Sequence, residues 1–248
     1  MTLNGIAQAA AILRGAQRAA ALTGAGISTP SGIPDFRGDG GLWLRDDPME
    51  VASLHGFCKN PRRFFGWFQP ILDQLLHAQP NPAHRALAAL EKMGKLRAVV
   101  TQNIDGLHQR AGSREVYELH GHVRSATCMG CGRQVLAAPL IEKVRRGELP
   151  WCACGGLFKP DVVLFEEDLP RGTYWLSASA MEKADAVIVA GTALEVYPAC
   201  EMPLAALKRG KPLIIVNKSP TYLDEQAAVV IREDVAVALP KIVEMLET

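Results

Sequence analysis

No stretch of the 248-residue chain approaches the ~20 uninterrupted apolar residues that a membrane-spanning helix needs. The opening Met1-Thr2-Leu3-Asn4 lacks the basic-then-apolar pattern of a secretory signal. An excess of charge is missing too: 27 Lys and Arg face 26 Asp and Glu, a net charge of +1. Proteins held on polyanions by bulk charge carry a clear basic excess, so strong nucleic-acid binding is not expected. Disorder is excluded by a hydrophobic fraction of 48%, because disordered chains combine low hydrophobicity with high net charge. Six cysteines are too few for a small disulfide-stapled scaffold, and nothing points to an oxidising compartment. The expectation is a cytoplasmic protein.

The length allows one large domain or two small ones. Leu3 to Gly15 reads as a helix, with Ile6, Ala9, Ala10 and Leu13 at helical spacing. Ala19 to Leu22 is a short apolar run ending in a glycine turn, a buried strand. Residues 38–80 hold Gly38, Gly40, Gly41, Pro48, Pro61, Pro70 and Pro80 with the aromatics Phe64, Phe65, Trp67 and Phe68. They read as an inserted loop with short helices. Asn81-Pro82 looks like an N-cap and first helical residue, and Ala83 to Met93 continues the helix. Strands follow at Leu96–Thr101, Val116–Leu119, Val162–Phe165, Ala186–Ala190, Pro212–Val216 and Val229–Ile231. Helices are expected at Tyr174–Ala184, at Pro198–Arg209 and at Val235–Leu246, the last interrupted or kinked at Pro240. Continuous apolar strands alternating with helices indicate an α/β fold with a parallel sheet covered on both faces.

Six features carry chemistry. Gly24-Ala25-Gly26-Ile27-Ser28 follows the first strand, where glycines let backbone N–H groups approach a pyrophosphate. It is an incomplete dinucleotide fingerprint: Thr29 holds the third glycine position, and no ribose-binding acid ends a second strand. An ordinary dehydrogenase is therefore disfavoured, and a purely structural glycine turn stays open. Gly32 to Gly38 presents Asp35, Phe36 and Arg37 in a glycine-bounded loop, either a ligand lid or a solvated surface loop. Gln102, Asn103, Ile104 and Asp105 stand at a strand's C-terminal end, where ligands bind in open α/β sheets; Asn and Asp also cap turns there. His120 follows another strand, with an imidazole suited to base chemistry near neutrality; His55, His77 and His84 read as structural. Gly191, Thr192, Ala193 and Asn217, Lys218, Ser219 follow two more apolar strands and suit nucleotide contacts. The most specific feature is Cys128-x-x-Cys131 and, 20 residues on, Cys152-x-Cys154. Four thiolates in two close pairs suit tetrahedral zinc, and four cysteine ligands leave no open position, so the metal is structural. Cys58 and Cys200 read as core thiols. Residues 122–160 carry a local charge of +4, a solvated basic face or a weak nucleic-acid patch.

In this order, these motifs resemble the sirtuin family of NAD-dependent protein deacylases, in its compact bacterial and archaeal form. Pro160-Asp161-Val162-Val163 belongs to the same set. The resemblance implies a Rossmann-like large domain over residues 1–38, 81–121 and 161–248, and a small domain over 39–80 and 122–160. NAD, a consumed co-substrate, would lie between them. Gly24, Ala25, Gly26, Thr29, Asp35 and Arg37 would hold its pyrophosphate and ribose, with Phe36 shielding the reactive carbon. Asn103, Ile104 and Asp105 would line the nicotinamide pocket, with Gln102 on the ribose. Gly191, Thr192, Ala193, Asn217, Lys218, Ser219 and Val235 would surround the adenosine half. An acyl-lysine peptide would add as a strand between Val163, Leu164, Phe165 and Glu166 on one side and Leu194, Glu195 and Val196 on the other. The implied chemistry begins with the acyl oxygen attacking the ribose carbon as nicotinamide leaves. His120 then acts as general base on a ribose hydroxyl, giving free lysine and O-acyl-ADP-ribose. One structural zinc and a monomer complete the expectation.

Three departures stand out: Phe165-Glu166-Glu167 where the family has Phe-Gly-Glu, Ala193 for a common Ser, and the shortened Cys152-x-Cys154 knuckle. Sirtuins that favour acidic acyl groups carry a Tyr-x-x-Arg pair where this chain reads Phe68-Gln69-Pro70-Ile71. Without the Arg, a succinyl carboxylate lacks charge-assisted hydrogen bonds, so acetyl or longer apolar groups are expected. The alternatives are a mono-ADP-ribosyltransferase using the same NAD site and a non-enzymatic zinc ribbon.

Overall fold

The computed structural model of the protein describes residues 2–36 and 41–247. Among these, the strands are β1 (Ala19–Thr23), β2 (Leu96–Thr101), β3 (Val116–Glu118), β4 (Gly121–Cys128), β5 (Gln134–Leu136), β6 (Phe158–Val162), β7 (Val187–Ala190), β8 (Leu213–Val216) and β9 (Val229–Ile231). The helices are α1 (Thr2–Gly15), α2 (Pro48–Val51), α3 (Leu54–Lys59), α4 (Pro61–His77), α5 (Pro82–Lys92), α6 (Leu107–Ala111), α7 (Ala138–Arg145), α8 (Arg171–Lys183), α9 (Met202–Leu207) and α10 (Val235–Glu247). Among the described residues no helix is long and apolar enough to cross a membrane.

Six strands form a parallel sheet in the order β3-β2-β1-β7-β8-β9. Every residue of β1, β7 and β8 is buried, which explains their unbroken apolar runs. Strand alternation splits them between two cores. Ala19, Ala21, Ile188 and Ile214 pack with Leu13 of α1, Leu87 of α5 and Ile242 of α10. Ala20, Leu22, Val189 and Ile215 pack with Met181 of α8 and Ala206 of α9. The register then brings the strand ends level: Thr23 is paired with Thr101 and Ala190, Thr101 with Glu118, and Ala190 with Val216. The strand order reverses between β1 and β7, the crevice where open α/β sheets bind ligands.

Beside this sheet, β5-β4-β6 form a small antiparallel sheet. With α3, α4 and α7 it shares a core of Phe57, Phe64, Phe68, Val123, Ile141 and Val144.

Several elements differ from the sequence pattern. The 38–80 insertion contains a 17-residue helix, α4, running through Pro70. Pro70 removes one intrahelical donor, but Phe64, Phe65, Phe68, Ile71, Leu72 and Leu75 are buried along the helix and hold it together. Likewise α10 continues past Pro240 on its buried Val235, Ala238, Leu239, Ile242 and Val243. The expected helix 198–209 divides into a short turn, Ala199–Glu201, and α9, because Pro203 starts a new helix. The expected strand Val162–Phe165 ends at Val162: the Val163 N–H closes the β4–β6 ladder on the His120 carbonyl, and the next two N–H groups turn away to the Glu167 carboxylate and the Ala52 carbonyl. Cys58 is exposed rather than in the core, its neighbour Phe57 taking the buried face of α3.

Candidate active site and metal centre

A cleft of about 590 Å³ opens at the level strand ends, between the parallel sheet and the aromatic face of α4. Gly24, Ala25 and Gly26 enter it from the end of β1, and Gln102, Asn103, Ile104 and Asp105 from the end of β2. His120 arrives two residues after β3; Gly191, Thr192 and Ala193 follow β7, and Asn217 and Ser219 follow β8. Asp35 and Phe36 line its rim, where the Phe36 ring stacks on Trp43 at 5.0 Å, and Trp43 on Trp67 at 5.8 Å. Three expected contacts fall outside the lining. Thr29 is exposed and bonds the Gly26 carbonyl, Lys218 is paired with Asp234, and Val235 is buried in the sheet core. Arg37 lies outside the described residues.

The glycines at this end serve packing first. The N–H groups of Gly24 and Gly26 donate to the Ala190 and Gly191 carbonyls at 3.3 and 2.9 Å. A Cβ on Gly191, whose φ is +62°, would meet the Ile27 nitrogen at 2.2 Å. The β1 and β7 turns therefore interlock backbone to backbone.

Behind the floor runs a buried hydrogen-bonded network. Asp105 accepts from Ser28 Oγ at 2.7 Å and from the Leu107 N–H at 2.8 Å. Asn103 Nδ2 donates to the Gly24 carbonyl and to Ser28 Oγ, both at 3.1 Å. The Asn81 N–H donates to His84 Nδ1 at 3.3 Å, so His84 carries its proton on Nε2, which faces Ser28 Oγ at 3.4 Å. Burial lowers the His84 pKa to about 4 and holds His108, which packs edge-on against it, well below the usual imidazole range. Desolvation pushes Asp105 up, partly opposed by its hydrogen bonds.

His120 is oriented by main chain. Its Nδ1 lies 2.9 Å from the Gln102 carbonyl, which can only accept, so Nδ1 carries the proton and Nε2 keeps its lone pair. Burial lowers its pKa, and the carbonyl bond partly restores it.

The proposed peptide edge is pinned inward. Val163 N–H donates to the His120 carbonyl, Phe165 N–H to the Ala52 carbonyl and Leu164 N–H to the Glu167 carboxylate. Glu166 occupies the left-handed region at φ +74°, where glycine is favoured, and accepts from the His55 N–H at 2.9 Å. Val163 to Glu166 and Leu194 to Val196 all line the cleft.

The four cysteines of the small sheet converge, with all Sγ atoms within 4.8 Å of one another. Cys128 and Cys154 are 3.4 Å apart and Cys131 and Cys152 3.8 Å, too far for disulfides and close to the ~3.8 Å edge of a tetrahedron with 2.3 Å Zn–S bonds. Gly130 and Gly156 donate N–H groups to Cys128 and Cys154 sulfurs, and a Cβ on Gly156 would strike the Cys128 sulfur at 2.7 Å. Gly155, at φ +86°, turns the shortened knuckle so that both its sulfurs still reach the cluster. The residues fit zinc.

Sequence reasoning missed Ser28 and His84 as partners of the site, and the apolar wall of Ile33, Phe64, Trp67, Ile71 and Leu75. Ser28 reads only as the end of the glycine motif and His84 only as a structural histidine, because their links span 50 residues or more.

The model of the Sir2 family matches residues 24–198. NAD-dependent protein deacylase 2 of Archaeoglobus fulgidus is 48% identical over 241 residues, covering 96% of this chain and 95% of its own. A solved Sir2 variant with a deacetylated p53 peptide and 3′-O-acetyl-ADP-ribose superposes with a TM-score of 0.93 at 37% identity, covering 98% of both chains. Sir2Af2 bound to a myristoylated histone peptide gives 0.85 at 42% identity, covering 99% of this chain and 97% of its own.

Proposed function

The chain belongs to the Sir2 family, and from that membership and its own site we propose how it works as an NAD-dependent protein-lysine deacylase. The carrying observation is His120: its Nδ1–H is bound to the Gln102 carbonyl, and its Nε2 lone pair is left for base chemistry in the cleft. The cleft volume and its mix of backbone and buried Asn103, Asp105, Thr192 and Asn217 suit a dinucleotide. NAD, when bound, supplies a ribose carbon whose bond to nicotinamide is exchanged for one to the acyl oxygen, so that the acyl group leaves on ADP-ribose. Around it, the residues divide the work. Asn103 and Asp105, cross-linked through Ser28, hold the inner polar wall in fixed orientation. Gln102 Nε2 donates to Thr192 Oγ1 at 3.1 Å, tying the β2 and β7 ends together. Phe36, stacked on Trp43, excludes water from the rim. His120 Nε2 takes the proton of a ribose hydroxyl. Val163–Glu166 and Leu194–Val196 flank the acyl-lysine peptide, and the four cysteines hold one structural zinc.

The large domain comprises residues 1–38, 81–121 and 161–248, and the small one 39–80 and 122–160. The protein acts as a monomer in the cytoplasm. Strong nucleic-acid binding is not expected, because Arg124, Arg145, Arg146 and Lys159 of the basic module are engaged with Glu118, Asp73, Glu148 and Glu167.

Mass spectrometry of an acetyl-lysine peptide, with and without NAD, tests the reading. The wild type gives NAD-dependent acetyl loss with nicotinamide release, and folded His120→Ala gives none. Wild-type turnover in that variant removes His120 from the chemistry. With labelled NAD, label retained on protein instead of O-acyl-ADP-ribose would favour ADP-ribosyl transfer.

A further inference from the structure

Among the described residues, two that are not glycine have positive φ, Glu166 at +74° and Leu194 at +57°. They stand one on each of the two edges between which the acyl-lysine peptide is placed. The left-handed region strains any side chain and costs glycine nothing, and strain of this kind gathers at functional sites. Leu194 is buried in the core with Val189 and Ile215, so packing accounts for it. Glu166 is exposed, so burial does not. Its carboxylate is nevertheless fixed. One oxygen accepts the His55 N–H at 2.9 Å. Just before it the backbone is tied to the same segment: the Phe165 N–H donates to the Ala52 carbonyl at 2.9 Å, and the Leu54 N–H to the Phe165 carbonyl at 3.0 Å. The other Glu166 oxygen has no hydrogen-bond partner, and the group no ion pair, among the described residues. Glu167 differs: Lys159 holds it at 3.0 Å and the Leu164 N–H at 2.8 Å, so its charge is already met. No Lys or Arg among the described residues lining the cleft neutralises Glu166.

A fixed carboxylate with an open oxygen, on the peptide edge and without a counter-ion, is a receptor for a cation that arrives with the substrate. We propose that Glu166 is a specificity-determining residue, selecting acyl-lysines that have an arginine or lysine close by in the same chain. This rests on the deacylase reading above and on its placement of the peptide. The contact lies at the solvent-exposed rim, so the preference is modest and falls as salt rises. Because the His55 N–H already holds one oxygen, little side-chain freedom remains to be lost on binding. The same charge disfavours an acidic neighbour, so selection works in both directions.

The test is kcat/KM at saturating NAD on acetyl-lysine peptides that are otherwise uncharged. Arginine, or its neutral isostere citrulline, is placed in turn at each of three positions before and after the acetyl-lysine. The wild type prefers arginine at one or two of these positions by about three- to fivefold at low salt. Folded E166Q, whose amide oxygen can still accept from the His55 N–H, loses that preference. Folded E166K reverses it, so that glutamate at the same position exceeds glutamine. An arginine preference retained in E166Q overturns the role of Glu166, and so does a wild type indifferent to charge at every position; both results leave the deacylase reading intact. Absence of NAD-dependent turnover of every peptide in the wild type overturns that reading and the selection with it.

Discussion

His120 acts as a base only while Nε2 is unprotonated, so the direction of its pKa fixes one side of the pH profile. Burial shifts it below 6.5, so the acid limb of kcat/KM has its midpoint below 6.5. A midpoint at or above that value would show that His120 does not govern the limb. His84 affects stability instead. Its folded pKa, about 4, is depressed from 6.5, so the unfolded chain binds the proton first. The contribution is present above pH 6.5 and is lost as pH falls towards 4, about 3 kcal/mol over that window. His108 adds to this loss, whereas the raised pKa of Asp105 opposes it, because there the native state gains the proton first. Urea midpoints of the wild type and of His84→Gln at pH 7 and pH 5 check it. The variant loses less between the two, and equal losses would assign the slope elsewhere.

At the scale of elements, two predictions separate backbone conformation from contact. Gly191 and Gly210 have similar φ values, +62° and +68°, but only a Cβ on Gly191 meets other atoms. Gly210→Ala therefore costs about 1 kcal/mol, and Gly191→Ala about 2–4 kcal/mol, by urea unfolding. Equal costs would mean that the β1 and β7 turns do not interlock. Around the cysteines the buried cluster is small, Ala126, Cys128, Cys152 and Phe158, and two of its members belong to the tetrad. A strong chelator should remove one zinc per chain, lower the thermal midpoint and be reversed by added zinc; an unchanged midpoint argues that the small sheet stands without metal. These elements also show what could be read in advance. The limits of β2 and β9 follow from their apolar runs, and the tetrad was legible because thiolate spacing encodes ligand geometry. The course of α4 through Pro70 was not, because packing against β4 and α7 decides it. Nor was His84, whose partner Ser28 lies 56 residues away, or the exclusion of Thr29 from the cleft.

At the scale of the whole molecule, near-neutral net charge conceals an uneven distribution. The described residues lining the cleft include Asp35, Asp105, Glu166, Glu167 and Glu195 but no Lys or Arg. A succinyl carboxylate entering beside Phe64 and Phe68 meets an apolar wall and, among the described residues, no cation. Deacetylation is expected to exceed desuccinylation by at least about tenfold on matched peptides; the reverse order would contradict the cleft's electrostatics. The carbonyl that holds His120 has a different kind of consequence. Every residue possesses a main-chain carbonyl, so no substitution at position 102 deletes the group that selects the tautomer of the base. The side chain there can change while that hydrogen bond remains available. The feature is mutationally robust: heritable change reaches it chiefly by displacing β2 from β3, which places it under selection on the fold as well as on the site.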